Sequence, residues 1–465
     1  MKNIKYKIVG LILILMMPFI SCKKLIEIDT PVNKIISSAV FKDDATATAA
    51  MLGIYIQMNT LIGSIGNSGT DLYPGMSADE IYSTTSISVY DEFRYNAITV
   101  TSSYTSTYMW SKAYNLIFLS NSILEGIKNN PAISAVVTTQ LKGEAEFIRA
   151  YFYFYLCNLF GSVPLITSTD YQANAAAPRS DVSLIYGQII ADLTDAQKLL
   201  PETYPSTGKV RINKWTATAF LARVYLYQKN WSKAEEQSTL VINSGVYSIV
   251  SDLNKVFLGN SAEAIFQLLP TSAISTATIN TYEGYNYIPN ANVVPSFSIT
   301  TYLLNAFSAI DKRKLNWIKS TTVGSTTYYY PFKYQVKTAA SITEYQMLFR
   351  LGEIYLIRAE ALAQQNKLPQ AVSDVDIIKS RAGIPLLFNT NPSIGQSALL
   401  DEIFAERQRE LFVECGHRWL DLKRSGRVDA VLGAIKPTWT STAALYPIPL
   451  TELQRNPALV QNPGY

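Results

Sequence analysis

The sequence predicts a mostly α-helical chain in which helix pairs form a scaffold, interrupted by long irregular loops with short strands. Three observations carry this. Two segments, Lys214–Gly245 and Arg350–Gly383, repeat one apolar spacing without a gap. Apolar residues make 48% of the 465 and charged residues only 16%, against roughly 25% in an ordinary soluble domain, so a large packed core is expected and a long disordered tail is not. Finally, 63–107 and 249–344 are rich in Tyr, Ser, Thr, Asn and Gly and show no long amphipathic helix, which reads as loops with short strands.

At the N-terminus Lys2, Lys5 and Lys7 lead into the apolar run Ile8 to Ile20, which ends Phe19-Ile20-Ser21-Cys22. The run is too short to span a bilayer and suits a secretory signal. A small residue before cysteine is similar to a bacterial lipobox. On that resemblance 1–21 is a signal peptide with a lipobox, and the mature chain, 22–465, forms a single domain that begins at a lipid-bearing Cys22. An ordinary cleaved signal and a transmembrane stub are the alternatives. Without 1–21, 37 basic residues face 36 acidic ones, and no basic stripe suits a phosphate backbone, which excludes nucleic acid as a partner.

The helix pairs follow in order around 108–160, 183–245 and 350–424. Tyr108–Ile127 pairs with Gln140–Phe160, and Ser183–Leu200 is a further amphipathic helix. In Lys214–Gly245 the helical spacing of Ala219, Ala222, Tyr225 and Leu226 breaks at Lys229-Asn230, and Trp231 starts a second helix. Placing Ala222 on Ala359 of the second unit brings Leu226 onto Ala363, Trp231 onto Leu368, Ala234 onto Ala371 and Leu240 onto Ile377. Small residues thus recur where two antiparallel helices must approach closely, as in the tetratricopeptide pair that this unit resembles. The run Tyr151–Tyr155 is apolar on every side, as a helix inside a bundle is.

Several residues invite a catalytic reading. Glu406, Arg409, Glu410 and Glu414 have one-helix spacing, which puts the acids on one face, whereas glycoside hydrolysis needs them on opposite sides of a sugar. An ion-pair network with Arg407, Arg409, Arg418 and Asp421 is the expectation. His417, the single histidine, follows Gly416 at the expected end of that helix and reads as a hydrogen-bonded structural residue, with no G-x-S-x-G nucleophile beside it. Cys157 and Cys415 lie in helical apolar patterns, as buried free thiols or as one disulfide. No calcium loop and no Gly-rich phosphate loop stands in the sequence, so the expectation is no metal, no cofactor and no enzyme.

Larger motifs speak more specifically. EAEFIRAYFYFYLCNLFGSVPL (Glu144–Leu165), EIYLIRAEALA (Glu353–Ala363), ERQRELFVECGHRWLDLKRSGR (Glu406–Arg427) and the tail LYPIPLTELQRNPALVQNPGY (Leu445–Tyr465) resemble, in order, the signatures of the SusD/RagB family. CKKLIEIDTP after Ser21 is similar to that family's mature start. The resemblance implies a surface lipoprotein of the Bacteroidetes outer membrane with four tetratricopeptide-like pairs. It further implies a seat over a SusC-like TonB-dependent transporter, to which an oligosaccharide is delivered uncleaved. The Tyr-Pro-Ile-Pro and Asn-Pro-Gly-Tyr stretches lack donors at the prolines and read as an extended strap.

A sugar offers flat C–H faces and a rim of hydroxyls, so exposed rings beside Asn, Asp or Ser are the expected binders. The family's ligand arc is usually built from the two loop regions. Tyr73, Asp79, Tyr82 and Tyr90 are the candidates in the first. In the second they are Tyr282, Tyr285, Asn286, Tyr287, Trp317, Tyr328 and Tyr329, within a window, Ile279–Tyr334, that holds eight of the 30 tyrosines. For each, loop packing or transporter contact is the alternative. A peptide-binding or purely structural adaptor of the same transporter, and more remotely a glycosidase, are the rival functions.

Overall fold

A computed structural model describes residues 40–61, 63–85, 87–270 and 280–465. The signal peptide, the lipobox and the lipidation site Cys22 lie outside the described residues. No helix among the described residues is long and apolar enough to cross a membrane.

The longer helices follow one another around one large core, with a smaller apolar cluster around Ala359, Ala371, Val375 and Leu399. They begin with α1 (Asp44–Thr60), α2 (Gly69–Ser77) and α3 (Ser88–Arg94). A π-helical stretch, Tyr104–Ser111, runs into α4 (Lys112–Ile127), followed by α5 (Ala135–Phe160) and α6 (Val182–Leu199). Helix α5 is the axis, packed between α4 and α6. Ser134 caps its start by accepting from Val137 N at 3.3 Å, and Gly161 ends it at φ +76°, a conformation that costs glycine nothing. Tyr151 to Tyr155 are all buried, as the all-round apolar run requires. Buried charge on α5 is paired: Arg149 grips Asp192 of α6 through Nε at 2.8 Å and Nη2 at 2.7 Å.

Next come α7 (Lys214–Tyr227) and α8 (Trp231–Asn243), and later α11 (Leu351–Gln364) and α12 (Leu368–Ala382), with α8 stacked on α11. The two units break at equivalent places, Lys229 at φ +54° and Asn366 at φ +59°. Asn230 then caps α8 by accepting from Lys233 N, while Pro369 sits in the first turn of α12, where its missing N–H costs no bond. Ala222, Ala234, Ala359 and Ala371 are all fully buried, which explains the recurrence of small residues. Helices α13 (Gln396–Leu411), α14 (His417–Arg424) and α15 (Val428–Ile435) complete the scaffold. The tail is the expected strap at Tyr446 and Ile448, both buried, with a short helix, Leu450–Arg455, between them and the end.

The region 63–107 differs from its expectation of loops and short strands, because α2 and α3 are helical. Every residue of α2 is buried, so it has no polar face to produce periodicity, and Gly69, Pro74 and Gly75 hide its helical character. The second loop region matches better. After β1 (Ile81–Ser83), β2 (Val163–Pro164) and β3 (Arg179–Ser180) earlier in the chain, it supplies, among the described residues, β4 (Ala264–Leu268), β5 (Phe297–Ile299) and the hairpin β6 (Ile318–Val323) and β7 (Thr326–Pro331), with short helices α9 (Tyr282–Tyr287) and α10 (Thr301–Asn305) between β4 and β6. Cys157 and Cys415 are buried and unbridged.

Candidate functional site

Two regions more than 200 residues apart are brought together by one short strand pair. The strand after α2, Ile81–Ser83, pairs antiparallel with β5 in the register Ile81 to Ile299, Tyr82 to Ser298 and Ser83 to Phe297. Thr300 N donates to Glu80 O at 2.9 Å, and Ser298 Oγ donates to Tyr329 O at 2.7 Å, which lays β7 beside β5. Side chains with Ile81 and Ile299 fall on the buried face, which frees Tyr82 on the other.

Beside this junction lies a cleft of about 280 Å³ whose wall includes Tyr82, Arg94, Tyr95, Tyr302, Ile435 and Lys436. Tyr95 and Tyr302 are 42% and 50% exposed. The Arg94 guanidinium lies 5.0 Å from the Tyr82 ring centroid and 5.3 Å from that of Tyr95, within cation–π distance of both. Lys436 Nζ donates to Met76 O, Ser77 O and Asn96 Oδ1, each at 2.8 Å. Burial pushes this ammonium down to about 7, with the Asp79 carboxylate opposing and Arg94 adding repulsion.

Asp79 borders the cleft, but its carboxylate is committed to Arg418, which binds it through Nε at 2.8 Å and Nη2 at 2.6 Å. The expectation that it reads ligand hydroxyls is corrected accordingly. Its neighbour Glu80 points inward and accepts from Val413 N at 3.2 Å; burial first, then the nearby Asp79 charge, pushes its carboxyl up to about 8.

Four further candidates are core residues, a second correction. Tyr73 packs its ring on Phe93 at 4.7 Å and Tyr104 at 5.0 Å. Trp317 is 0% exposed, donates Nε1–H to Leu253 O at 3.0 Å and has Lys333 Nζ at 4.8 Å from its ring. Tyr282 and Tyr287 are buried too. None of the four presents a ring face to solvent. Tyr82, Tyr90, Asn286, Tyr328 and Tyr329 are half-buried, Tyr90 lying 5.0 Å edge-on to Phe297. Tyr285 is exposed, with Lys337 over its ring at 5.7 Å. Sequence reasoning missed Arg94, Tyr95, Tyr302 and Lys436. Their only local signal is a cation and a ring adjacent in sequence at Arg94-Tyr95; the partners come from elsewhere in the chain.

The carboxylates of the Glu406–Glu414 stretch form the expected ion-pair network, with different partners. Arg313 reaches Glu406 at 2.6 Å and Glu410 at 3.0 Å, Arg350 reaches Glu263, Glu410 and Glu414, and Arg381 reaches Glu263 and Glu410. Arg409 joins Glu406, and Arg407 instead grips Asp421. His417 opens α14 rather than ending the preceding helix, since Gly416 turns the chain at φ +65°. The ring is buried, and among the described residues Nδ1 has no partner and Nε2 stands 3.8 Å from Glu353, so the expected side-chain hydrogen bond is not made there. Burial, then the charges of Arg223 and Arg407, hold it well below the usual imidazole range. Among the described residues no cluster of His, Cys, Asp and Glu is arranged to hold a metal.

Comparison with known proteins agrees with this architecture. A family model described as starch-binding, associating with outer membrane, matches residues 47–226, and the model of the SusD family matches 311–465. A SusD-like protein of Formosa agariphila is 24% identical over 96% of this chain and 97% of its own. The starch-binding protein SusD of Bacteroides thetaiotaomicron is 24% identical over 70% and 73%. Among solved structures, a SusD superfamily protein of Bacteroides vulgatus superposes with a TM-score of 0.79 at 23% identity, covering 91% of this chain and all, 100%, of that one. A laminarin-binding SusD-like protein gives 0.76 at 23% identity, covering 91% and 100%. The two matched ranges together hold the four motifs of the sequence in order, and the chain belongs to the SusD/RagB family.

Proposed function

We propose that this protein captures an oligosaccharide at the cell surface, held there by lipid on Cys22, and delivers it to a SusC-like TonB-dependent transporter of the outer membrane. The observation that carries the reading is the cleft in which Tyr82, Tyr95 and Tyr302 border a space between the two loop regions. Aromatic faces there suit the C–H faces of pyranose rings, and the tyrosine hydroxyls suit the sugar rim. The starch-binding and laminarin-binding relatives support a carbohydrate as the ligand. Capture without cleavage agrees with the carboxylates: Asp79 is bound to Arg418, and Glu406, Glu410 and Glu414 are bound to arginines. Neither set leaves an acid and a base on opposite sides of a sugar.

The half-buried Tyr90, Asn286, Tyr328 and Tyr329 and the exposed Tyr285 lie in the same two loop regions and are proposed as outlying contacts. The adaptor reading has one observation in its favour, an apolar cleft of about 1000 Å³ between α12 and the following loop, lined by Leu368, Val372, Phe388 and Ile394. Calorimetric titration with an oligosaccharide panel tests capture. The expected result is binding that Tyr82→Ala and Tyr302→Ala each weaken by up to about tenfold, the worth of one stacked ring, while association with the transporter is retained. Heat with a peptide and none with any glycan refutes it.

A further inference from the structure

Arg94 departs from the way this protein treats its arginines. Every other arginine of the described residues donates at least one hydrogen bond, and the half-buried ones grip a carboxylate or carbonyl oxygens. Arg358 takes Asp374 with two bonds of 2.7 Å, Arg424 takes Glu360 at 2.6 and 2.7 Å, and Arg179 takes Ser162 O, Val460 O and Asn462 Oδ1. Arg94 is half-buried, within cation–π distance of Tyr82 and Tyr95, and among the described residues it has neither an ion pair nor a hydrogen bond. A guanidinium that packs on rings and donates no hydrogen bond keeps its N–H groups for an acceptor from outside.

The rest of the cleft offers Arg94 no free carboxylate. Lys436 donates only to neutral oxygens. Asp79 is neutralised by Arg418, and the buried Glu80 carboxyl faces Val413 N rather than the cleft. On α3 itself, Asp91 forms no ion pair with Arg94, and Glu92 accepts from Thr99 Oγ1 at 3.1 Å. A neutral glucan has no need of an unpaired guanidinium beside its stacking rings. A sugar bearing an anionic oxygen group does, because a planar guanidinium binds such a group with two parallel bonds of roughly double strength.

We propose that the cleft selects an acidic oligosaccharide, one carboxylate or sulfate of which is received by Arg94 while adjacent pyranose rings lie on Tyr82, Tyr95 and Tyr302. This rests on the glycan reading above and names its substrate class.

Calorimetry with the full chain tests it, using oligogalacturonate as the carboxylate probe, sulfated laminarin-oligosaccharide as the sulfate probe and unmodified laminarin-oligosaccharide as the neutral one. One acidic probe is expected to bind at least about tenfold tighter than the neutral one, and which one identifies the anionic group. Its affinity should fall with added salt, and Arg94→Met, which keeps a stem between the rings, should remove most of the preference. Should that variant unfold, the salt dependence of the unaltered protein still decides. A neutral probe bound as tightly as both acidic ones, indifferent to salt and to Arg94→Met, overturns the acidic class and leaves glycan capture standing. Acidic binding untouched by Arg94→Met overturns the assignment to this cleft. Binding of none of the three while a peptide binds overturns the glycan reading itself.

Discussion

Glu410 joins three arginines, and its neutral isostere measures what their pairing contributes. The side chain is fully buried. Its Oε1 accepts from Arg350 Nη1 at 2.5 Å and from Arg381 Nη2, and its Oε2 from Arg313 Nη1 at 3.0 Å. Burial alone would raise the carboxyl, but Arg381, Arg350, Arg313 and Lys333 outweigh it and hold it well below the usual carboxylate range. Glu410→Gln keeps the shape, removes the charge and turns an amide donor towards a guanidinium. Breaking a buried pair by removing one partner costs about 3–5 kcal/mol. Unfolding entropy of about 2.1 cal/mol/K per residue over 465 residues comes to about 1 kcal/mol/K, so the melting temperature should drop by about 3–5 °C if the chain unfolds as one unit. Glu402→Gln is the control, because Glu402 is partly exposed and bonds Lys379 and Arg409 at the edge; it should cost under about 1 kcal/mol and about 1 °C. Folding lowers the Glu410 pKa. Its contribution is therefore complete above the ordinary value of 4.5 and is lost only as pH falls through the folded value. Scanning calorimetry near neutral pH should show the gap, and acid should close it. A Glu410→Gln melt no lower than that of Glu402→Gln refutes the reasoning.

Two further outcomes follow from the same structure. Trp317→Ala should cost about 3–5 kcal/mol in a denaturant titration, the loss of a large buried ring, whereas Tyr285→Ala should stay within about 0.5 kcal/mol; equal effects would mean that Trp317 is not the core residue described. Glu80→Gln tests the raised carboxyl: between 4.5 and about 8 the folded chain keeps a proton that the unfolded chain has released, so wild-type stability falls as pH rises through that window. The variant cannot ionise and should gain on the wild type by roughly 4–5 kcal/mol at the upper end, and a gap that does not change with pH would contradict this.

What could be read from the sequence depended on whether the signal was local. Helices α8 and α12 announce themselves because one face of each is polar, α7 and α11, buried on most sides, by the small-residue spacing they share, and the breaks fall at Lys229 and Asn366, where φ turns positive. Helix α2 does not, because burial on all sides leaves no contrast between faces. The acidic stretch at Glu406–Glu414 was recognisable as ionic, but its chief cations, Arg313, Arg350 and Arg381, come from three other segments. One-helix spacing identifies the neighbours that a helix provides and says nothing of those the fold delivers.

The same limit sorts the tyrosines and decides what the cleft is. Tyr73, Tyr82, Tyr287 and Trp317 have similar polar company in the sequence, yet only Tyr82 keeps a partly open ring. For Tyr82 the opening is made by the pairing of Ile81–Ser83 with Phe297–Ile299, which turns Ile81 and Ser83 inward and Tyr82 outward; no property of either segment alone specifies it. Charge obeys the converse logic. A fold that supplies acceptors for its other described arginines leaves Arg94 with two rings and none. Because a half-buried cation without a counter-charge is unfavourable, its persistence at a cleft lined with rings is the strongest reason to look for an acidic glycan there. A neutral glucan would leave that charge uncompensated in the bound state, whereas a carboxylate or sulfate would neutralise it on arrival.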